Sequence, residues 1–265
     1  MKKLSFLTLM AAILTTSAAN AIEINPYVSD KLSYSILNQT DSAVIGQTPQ
    51  YSQQFHDKTS GTFGNKLAVG IAFPIDAISG AIRTELEWGI NAKTKIKNES
   101  YKDTYGLGYS SGFSQPPAVT DYEIKTSAYF FNAYYDFDTG TAWTPYVGIG
   151  AGWAKIDLES DYSVFWGSTS TQAGHWCPGL CDSVISKGDT NNFAWNVGLG
   201  VAFAINDNFA IDFGYRYARL GDIKADTMAY TDGVPNDAWI GVPIVNYDKA
   251  TVSLHDINLG LRYSF

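Results

Sequence analysis

The chain has 265 residues, is 45% hydrophobic and 14% aromatic, and carries a formal charge of -8. Its Lys and Arg residues are scattered rather than clustered, which argues against a nucleic-acid partner. Beyond the N-terminus no apolar stretch approaches the roughly 20 residues of a membrane-spanning helix, so a helical membrane protein is excluded. Composition alone still leaves open a soluble β-barrel or sandwich.

Residues 1–21 read as a secretory signal. Lys2 and Lys3 form a positive start, Leu4 to Leu14 is largely apolar, and Ala19-Asn20-Ala21 supplies the small residues of a cleavage site. The mature domain, 22–265, then begins at Ile22, and loss of two lysines takes its charge to -10. Export through an oxidising compartment predicts a local disulfide between Cys177 and Cys181 at a loop tip. A metal site would need His175 beside both thiols and would still lack a fourth ligand, so neither metal nor cofactor is expected.

Eight segments then alternate with period two. The first, near Tyr27 to Ile36, places Val28, Leu32, Tyr34 and Ile36 on one face, with Asp30 among them. A carboxylate there predicts a bulge or a local shift of register. The second sets Leu67, Val69, Ile71 and Phe73 against Lys66, Ala68, Gly70 and Ala72. In the third, Ile82, Leu86, Trp88 and Ile90 oppose Arg83, Glu85 and Glu87. The fourth sets Tyr129, Phe131, Ala133, Tyr135 and Phe137 against Ala128, Phe130, Asn132, Tyr134 and Asp136. The fifth and sixth set Val147, Ile149, Trp153, Trp195, Val197 and Leu199 against a nearly continuous series of glycines and small residues. The seventh opposes Ile211, Phe213, Tyr215 and Tyr217 to Asp212, Gly214 and Arg216, and the eighth opposes Ile257, Leu259, Leu261, Tyr263 and Phe265 to Asn258, Gly260, Arg262 and Ser264.

Connections alternate in length. Those from Phe73 to Ala81, Phe137 to Thr144 and Ile205 to Phe209 are short, whereas links near 37–62, 95–122, 157–191 and 219–249 are long. Short periplasmic turns and long outer loops are the pattern of an all-β, eight-stranded antiparallel transmembrane β-barrel. Hydrocarbon offers no partner to an open sheet edge, so the first and last strands must pair.

An interior this narrow is filled by side chains. Arg83, Glu85, Glu87, Asp136, Asp212, Arg216 and Arg262 are therefore expected to point inward as a charge network that plugs the barrel rather than lining a pore. Glycines on strands five and six leave room for a small wet pocket. Ser253 and His255 share an alternating face and suggest a dyad of the kind lipid-modifying barrels use, but no orienting carboxylate accompanies them, and no catalytic residue is assigned. The loop aromatics Tyr105, Tyr109, Trp166 and Trp176 are the recognition candidates. Outer-membrane lipid and lipopolysaccharide are the expected surroundings.

The segments Pro26-Tyr27-Val28, Arg83-Thr84-Glu85-Leu86-Glu87-Trp88, Asn132-Ala133-Tyr134-Tyr135-Asp136-Phe137, Thr144-Pro145-Tyr146-Val147-Gly148-Ile149-Gly150, Gly214-Tyr215-Arg216-Tyr217 and Gly260-Leu261-Arg262-Tyr263-Ser264-Phe265 together resemble the opacity-protein family of outer-membrane surface antigens. That resemblance spans the strands of the whole mature chain. It implies a Gram-negative outer-membrane location and assembly by periplasmic chaperones and the barrel-insertion machinery through a C-terminal signal formed by Leu261, Tyr263 and Phe265. It also implies surface loops that serve adhesion or antigenic display; it does not itself imply a host receptor, whose identity the sequence leaves open. A narrow pore or passive structural protein is the alternative, and a lipid-active barrel enzyme the third.

Overall fold

A computed structural model describes residues 24–45, 53–54, 58–75, 79–100, 118–166, 179–227 and 246–265. Ten strand segments follow in chain order: β1 (Asn25–Ile45), β2 (Gln53–Gln54), β3 (Lys58–Ile75), β4 (Gly80–Asn91), β5 (Thr94–Ser100), β6 (Ala118–Phe137), β7 (Trp143–Trp166), β8 (Gly179–Ala204), β9 (Phe209–Thr227) and β10 (Asn246–Ser264). The segments β4 and β5 run along the same neighbour, β6, with a one-residue slip between Ile90↔Ser127 and Thr94↔Ile124. They form one stave interrupted by a bulge, and β2 is a two-residue appendage of β1. Eight antiparallel staves remain, ordered β1-β3-β4-β6-β7-β8-β9-β10, and β10 returns to pair with β1. The seam is long, from Tyr27↔Ser264 to Thr40↔Thr251 without a break. Closure gives every backbone group along it a partner, as a hydrocarbon medium demands.

Burial is inverted relative to a soluble protein. Leu32, Phe131, Ile149, Leu199, Phe213 and Leu259 are exposed, while Lys66, Arg83, Glu85, Glu87, Asp212 and Asp256 are buried. The phase of each alternating segment fixes which set faces outward. Ring pairs mark both borders of the apolar band. Tyr135–Phe137, Trp143–Phe203 and Phe209–Tyr263 lie near the end with the short turns, and Trp88–Tyr129 and Trp195–Tyr217 near the other. Such girdles sit at the lipid–water interfaces.

The two ends of the barrel differ. At one end β6 and β7 are joined by residues 138–142, where Gly140 takes a left-handed conformation (φ 65°), and β8 and β9 by residues 205–208. At the other end the sheet continues past the girdle. Much of what the sequence pattern assigns to long links is strand, including the stretch to Ile45 in β1, Asp157 to Trp166 in β7 and Gly179 to Asn191 in β8. Above the lipid both faces of a strand meet water, so the one-sided apolar alternation fades while backbone pairing persists.

The first strand departs from expectation. No bulge accompanies Asp30, which pairs with Leu261 on one side and Leu67 on the other in unbroken register. Register shifts in β1 occur only beyond Thr40. The outward carboxylate is accommodated by a hydrogen bond from Asn65 Nδ2 at 2.6 Å rather than by a slip of the strand. A slip of one residue would expose the whole Ser29-Lys31-Ser33-Ser35 face to lipid, a far larger cost.

Candidate functional site

The interior is built in two storeys. In the lower one, toward the short turns, five cations (Lys31, Lys66, Arg83, Arg216, Arg262) face five carboxylates (Glu85, Glu87, Asp136, Asp212, Asp256). Glu85, from β4, accepts bonds from Lys31 Nζ (2.7 Å), the Tyr134 hydroxyl (2.8 Å), Asn132 Nδ2 (3.2 Å) and the Tyr27 hydroxyl (3.1 Å). The Lys31 ammonium also bridges to Glu87 at 3.1 Å. Arg216, from β9, reaches across to Glu87 with Nη1 and clamps Asp256 Oδ2 with Nε (3.0 Å) and Nη2 (2.8 Å). Lys66 closes the chain on Asp256 (3.1 Å) and Asn258 (2.8 Å).

Two further pairs flank this chain. Arg83 Nε holds Asp136 at 2.6 Å, with its guanidinium over the rings of Tyr134 and Tyr146, and Arg262 stands 3.6 Å from Asp212. Fixed forks of Arg donors suit such multidentate pairing, and matched charge removes the need for a counter-ion.

Glycines make room for the rings within this storey. A Cβ at Gly148 would strike the Tyr134 ring, one at Gly200 the Tyr146 ring, and one at Gly214 the Tyr146 hydroxyl. What stays empty is a cavity of about 30 Å³, lined in part by Lys31, Glu87, Tyr146, Asp212, Arg216 and Gly214. That volume suits one or two waters.

The upper storey is apolar. Leu37, Ile96, Ile124, Phe130, Ile156, Leu158, Leu220, Ile223, Val252 and Leu254 converge in one cluster with Ala128, Ala154, Ala194 and Ala218. Phe130 joins the storeys, lying beneath the Arg216 guanidinium. In β9 the inward phase is preserved past Leu220 by Gly221 (φ 101°), a bulge that brings Ile223 into the cluster opposite β10.

All seven charged residues predicted to face inward lie in the lower storey. Three further partners were not counted in the network from sequence: Lys31, Asp256, and Lys66, which the alternation places on the inner face of the second segment. Each was in phase: Asp256 precedes Asn258-Gly260-Arg262 by one alternation, and Lys31 sits between Ser29 and Ser33. The apolar storey was missed for another reason. Leu37, Ile96, Leu158, Leu220 and Ile223 sit in the long links, where apolar residues on one face were not matched to any lipid-facing set, and Ala128 and Phe130 lie on the inner face of the fourth alternating segment.

Ser253 and His255 keep a common face, with unbroken register against β1 and β9 between them. Ser253 is buried and His255 half-buried, and the His255 ring is engaged by the Tyr215 hydroxyl, 2.6 Å from Nδ1, and by the Tyr217 ring. Leu261 and Phe265 face outward, and the Phe265 amide bonds Pro26 O at 3.1 Å, so the terminal residue is tied to the first strand.

Tyr105, Tyr109, Trp176 and Cys177 lie outside the described residues. Trp166 and Cys181 lie within β7 and β8, with side chains outside the description. Below them the outer face of β5 to β8 carries a charged shelf. Glu123 bridges Lys93 (2.8 Å) and Lys95 (3.0 Å), and Lys155 bridges Asp157 (2.9 Å). Bonds from Lys93 and then Lys95 hold the Glu123 carboxyl down to about 2.

The chain has relatives among known proteins. A family model described as the outer membrane protein beta-barrel domain matches residues 5–265. The outer membrane protein PagN of Salmonella typhimurium is 27% identical over 276 residues, covering 100% of both chains. Among solved structures, Neisserial surface protein A is similar with a TM-score of 0.43 and 16% identity, over 91% of this chain and 97% of that one. Ail of Yersinia pestis, solved with the heparin analogue sucrose octasulfate, has a TM-score of 0.35 and 15% identity, over 91% and 99%.

Proposed function

Because the chain belongs to the outer membrane β-barrel family and resides in the outer membrane, we propose that it is a surface anchor whose outer hairpins present loops for adhesion or recognition, or as an antigenic display. The observation that carries this reading is the asymmetry of the barrel. From Trp153 at the girdle, β7 continues to Trp166, which at about 3.4 Å per residue reaches some 40 Å along the strand. A barrel that served only to fill the membrane would have no use for paired hairpins of that length. The plugged interior points the same way, since ion pairs below and an apolar layer above favour rigidity over conduction.

The segments 101–117, 167–178 and 228–245, which connect β5 to β6, β7 to β8 and β9 to β10 in sequence, hold Tyr105, Tyr109 and Trp176, and aromatic side chains are the usual anchors of recognition. Expression of the full chain in a non-adherent Gram-negative host is expected to confer binding to cultured host cells. Replacing 101–117, 167–178 and 228–245 by Gly-Ser linkers is expected to abolish binding while heat-dependent gel mobility, the mark of a folded barrel, is kept. Binding that survives all three replacements would refute the reading.

A further inference from the structure

Asp30 has no part in the anchor or in the plug. It points into the apolar band between the levels of Val28, which pairs with Tyr263, and Tyr34, whose ring meets Phe63 edge-on. Register with both neighbours is unbroken, so the carboxylate cannot turn inward without dragging the strand with it. Ionisable groups in that zone are costly and mark sites. A carboxylate accepts about four hydrogen bonds, and Asn65 supplies one. Asn65 brings a second N–H and its own carbonyl. The outward residues directly opposite the pair are aliphatic and exposed: Leu67 and Leu261 flank Asp30, and Leu32 stands opposite Asn65.

We propose that this face is an interface at which a second copy of this chain docks side by side in the membrane. Acyl chains carry no donor, and lipid headgroups lie beyond the ring pair Tyr263–Phe265. A second copy has what is missing. It shares the same orientation and therefore carries its polar pair at the same depth, and a two-fold axis along the membrane normal sets the free amide hydrogen of Asn65 in one copy toward the carboxylate of Asp30 in the other. The aliphatic Leu32, Leu67 and Leu261 next to the pair allow close approach. This inference does not depend on the adhesive reading.

The test uses the full chain in intact outer membranes, with Cys177→Ser and Cys181→Ser as background. Leu67→Cys, beside Asp30, is expected to yield a dimer-sized product with a short bis-maleimide, whereas Leu199→Cys on β8, across the barrel, is not. Combining Asp30→Leu with Asn65→Leu should cut that product about tenfold. It should also raise the barrel's resistance to urea, because a lipid-facing carboxylate is removed, and the gain in resistance separates a lost interface from a lost fold. The inference is overturned by the absence of a dimer from a normally folded Leu67→Cys protein. A product unchanged in the double variant, or an adduct with lipid or with a protein of another size, would overturn it equally.

Discussion

Arg216 is the hub of the lower storey, and replacing it with Met tests whether that storey is a matched network. The change removes both bonds to Asp256 and the one to Glu87. It leaves four cations against five carboxylates in a space with no bulk water. Stranding a buried charge costs about 3–5 kcal/mol. Lys66 still reaches Asp256 at 3.1 Å and Lys31 still reaches Glu87 at 3.1 Å, so the lower end, about 3 kcal/mol, is expected. Adding Asp256→Asn restores charge balance, and the pair should recover more than about 1 kcal/mol relative to the sum of the single changes. Reversible urea unfolding in phospholipid vesicles, followed by fluorescence of the seven tryptophans, supplies all four corners of the cycle. Additive losses, or a single-variant loss below about 0.5 kcal/mol, would refute a coupled network.

Deleting Phe265 should impair assembly, since it removes an outward ring and the amide that bonds Pro26 O, whereas Ser264→Ala should change little; equal surface labelling of the two at equal synthesis would contradict this. In planar bilayers the purified protein should give only small or rare conductance steps, and large stable channels would contradict the two-storey interior. Gly148→Val should push Tyr134 off Glu85 and destabilise the barrel by roughly 1–3 kcal/mol, as overpacking does; unchanged urea stability would contradict it. Glu123 should titrate near 2 rather than at its ordinary 4.5. Its folded value is depressed, so the clamp on Lys93 and Lys95 is fully present above 4.5 and is lost as pH falls through about 2. A 13C-carboxyl NMR midpoint near 4.5 would show that the clamp does not form in solution.

Much of the membrane-spanning part was legible because lipid imposes a strict rule on each strand. One residue out of phase is costly, so Leu67-Val69-Ile71-Phe73 and Ile257-Leu259-Leu261-Tyr263 declare their outward face unaided. Inward charges were legible for the same reason, as the other half of the alternation. Three things lay beyond that rule. The length of the outer hairpins was hidden because water, unlike lipid, does not select one face. The apolar storey was hidden because Leu158 on β7 meets Ile124 on β6 through strand pairing, and both join Leu37 on β1 only through closure of the barrel. Asp30 suggested a faulty register, whereas the strand kept its phase and Asn65, distant in sequence, met the carboxylate. Pairing across strands decides each of these cases, and sequence alternation carries no information on it.

The most direct measurement of the anchor's arrangement is labelling of intact cells with a membrane-impermeant maleimide, in the Cys177→Ser, Cys181→Ser background. Asp189→Cys sits on β8 above the outer girdle, and Asp207→Cys sits in the short turn between β8 and β9. A closed barrel with its long hairpins outside the cell predicts labelling of position 189 in intact cells and of position 207 only after the outer membrane is broken. Labelling of position 207 alone, or of both positions equally in intact cells, would contradict it.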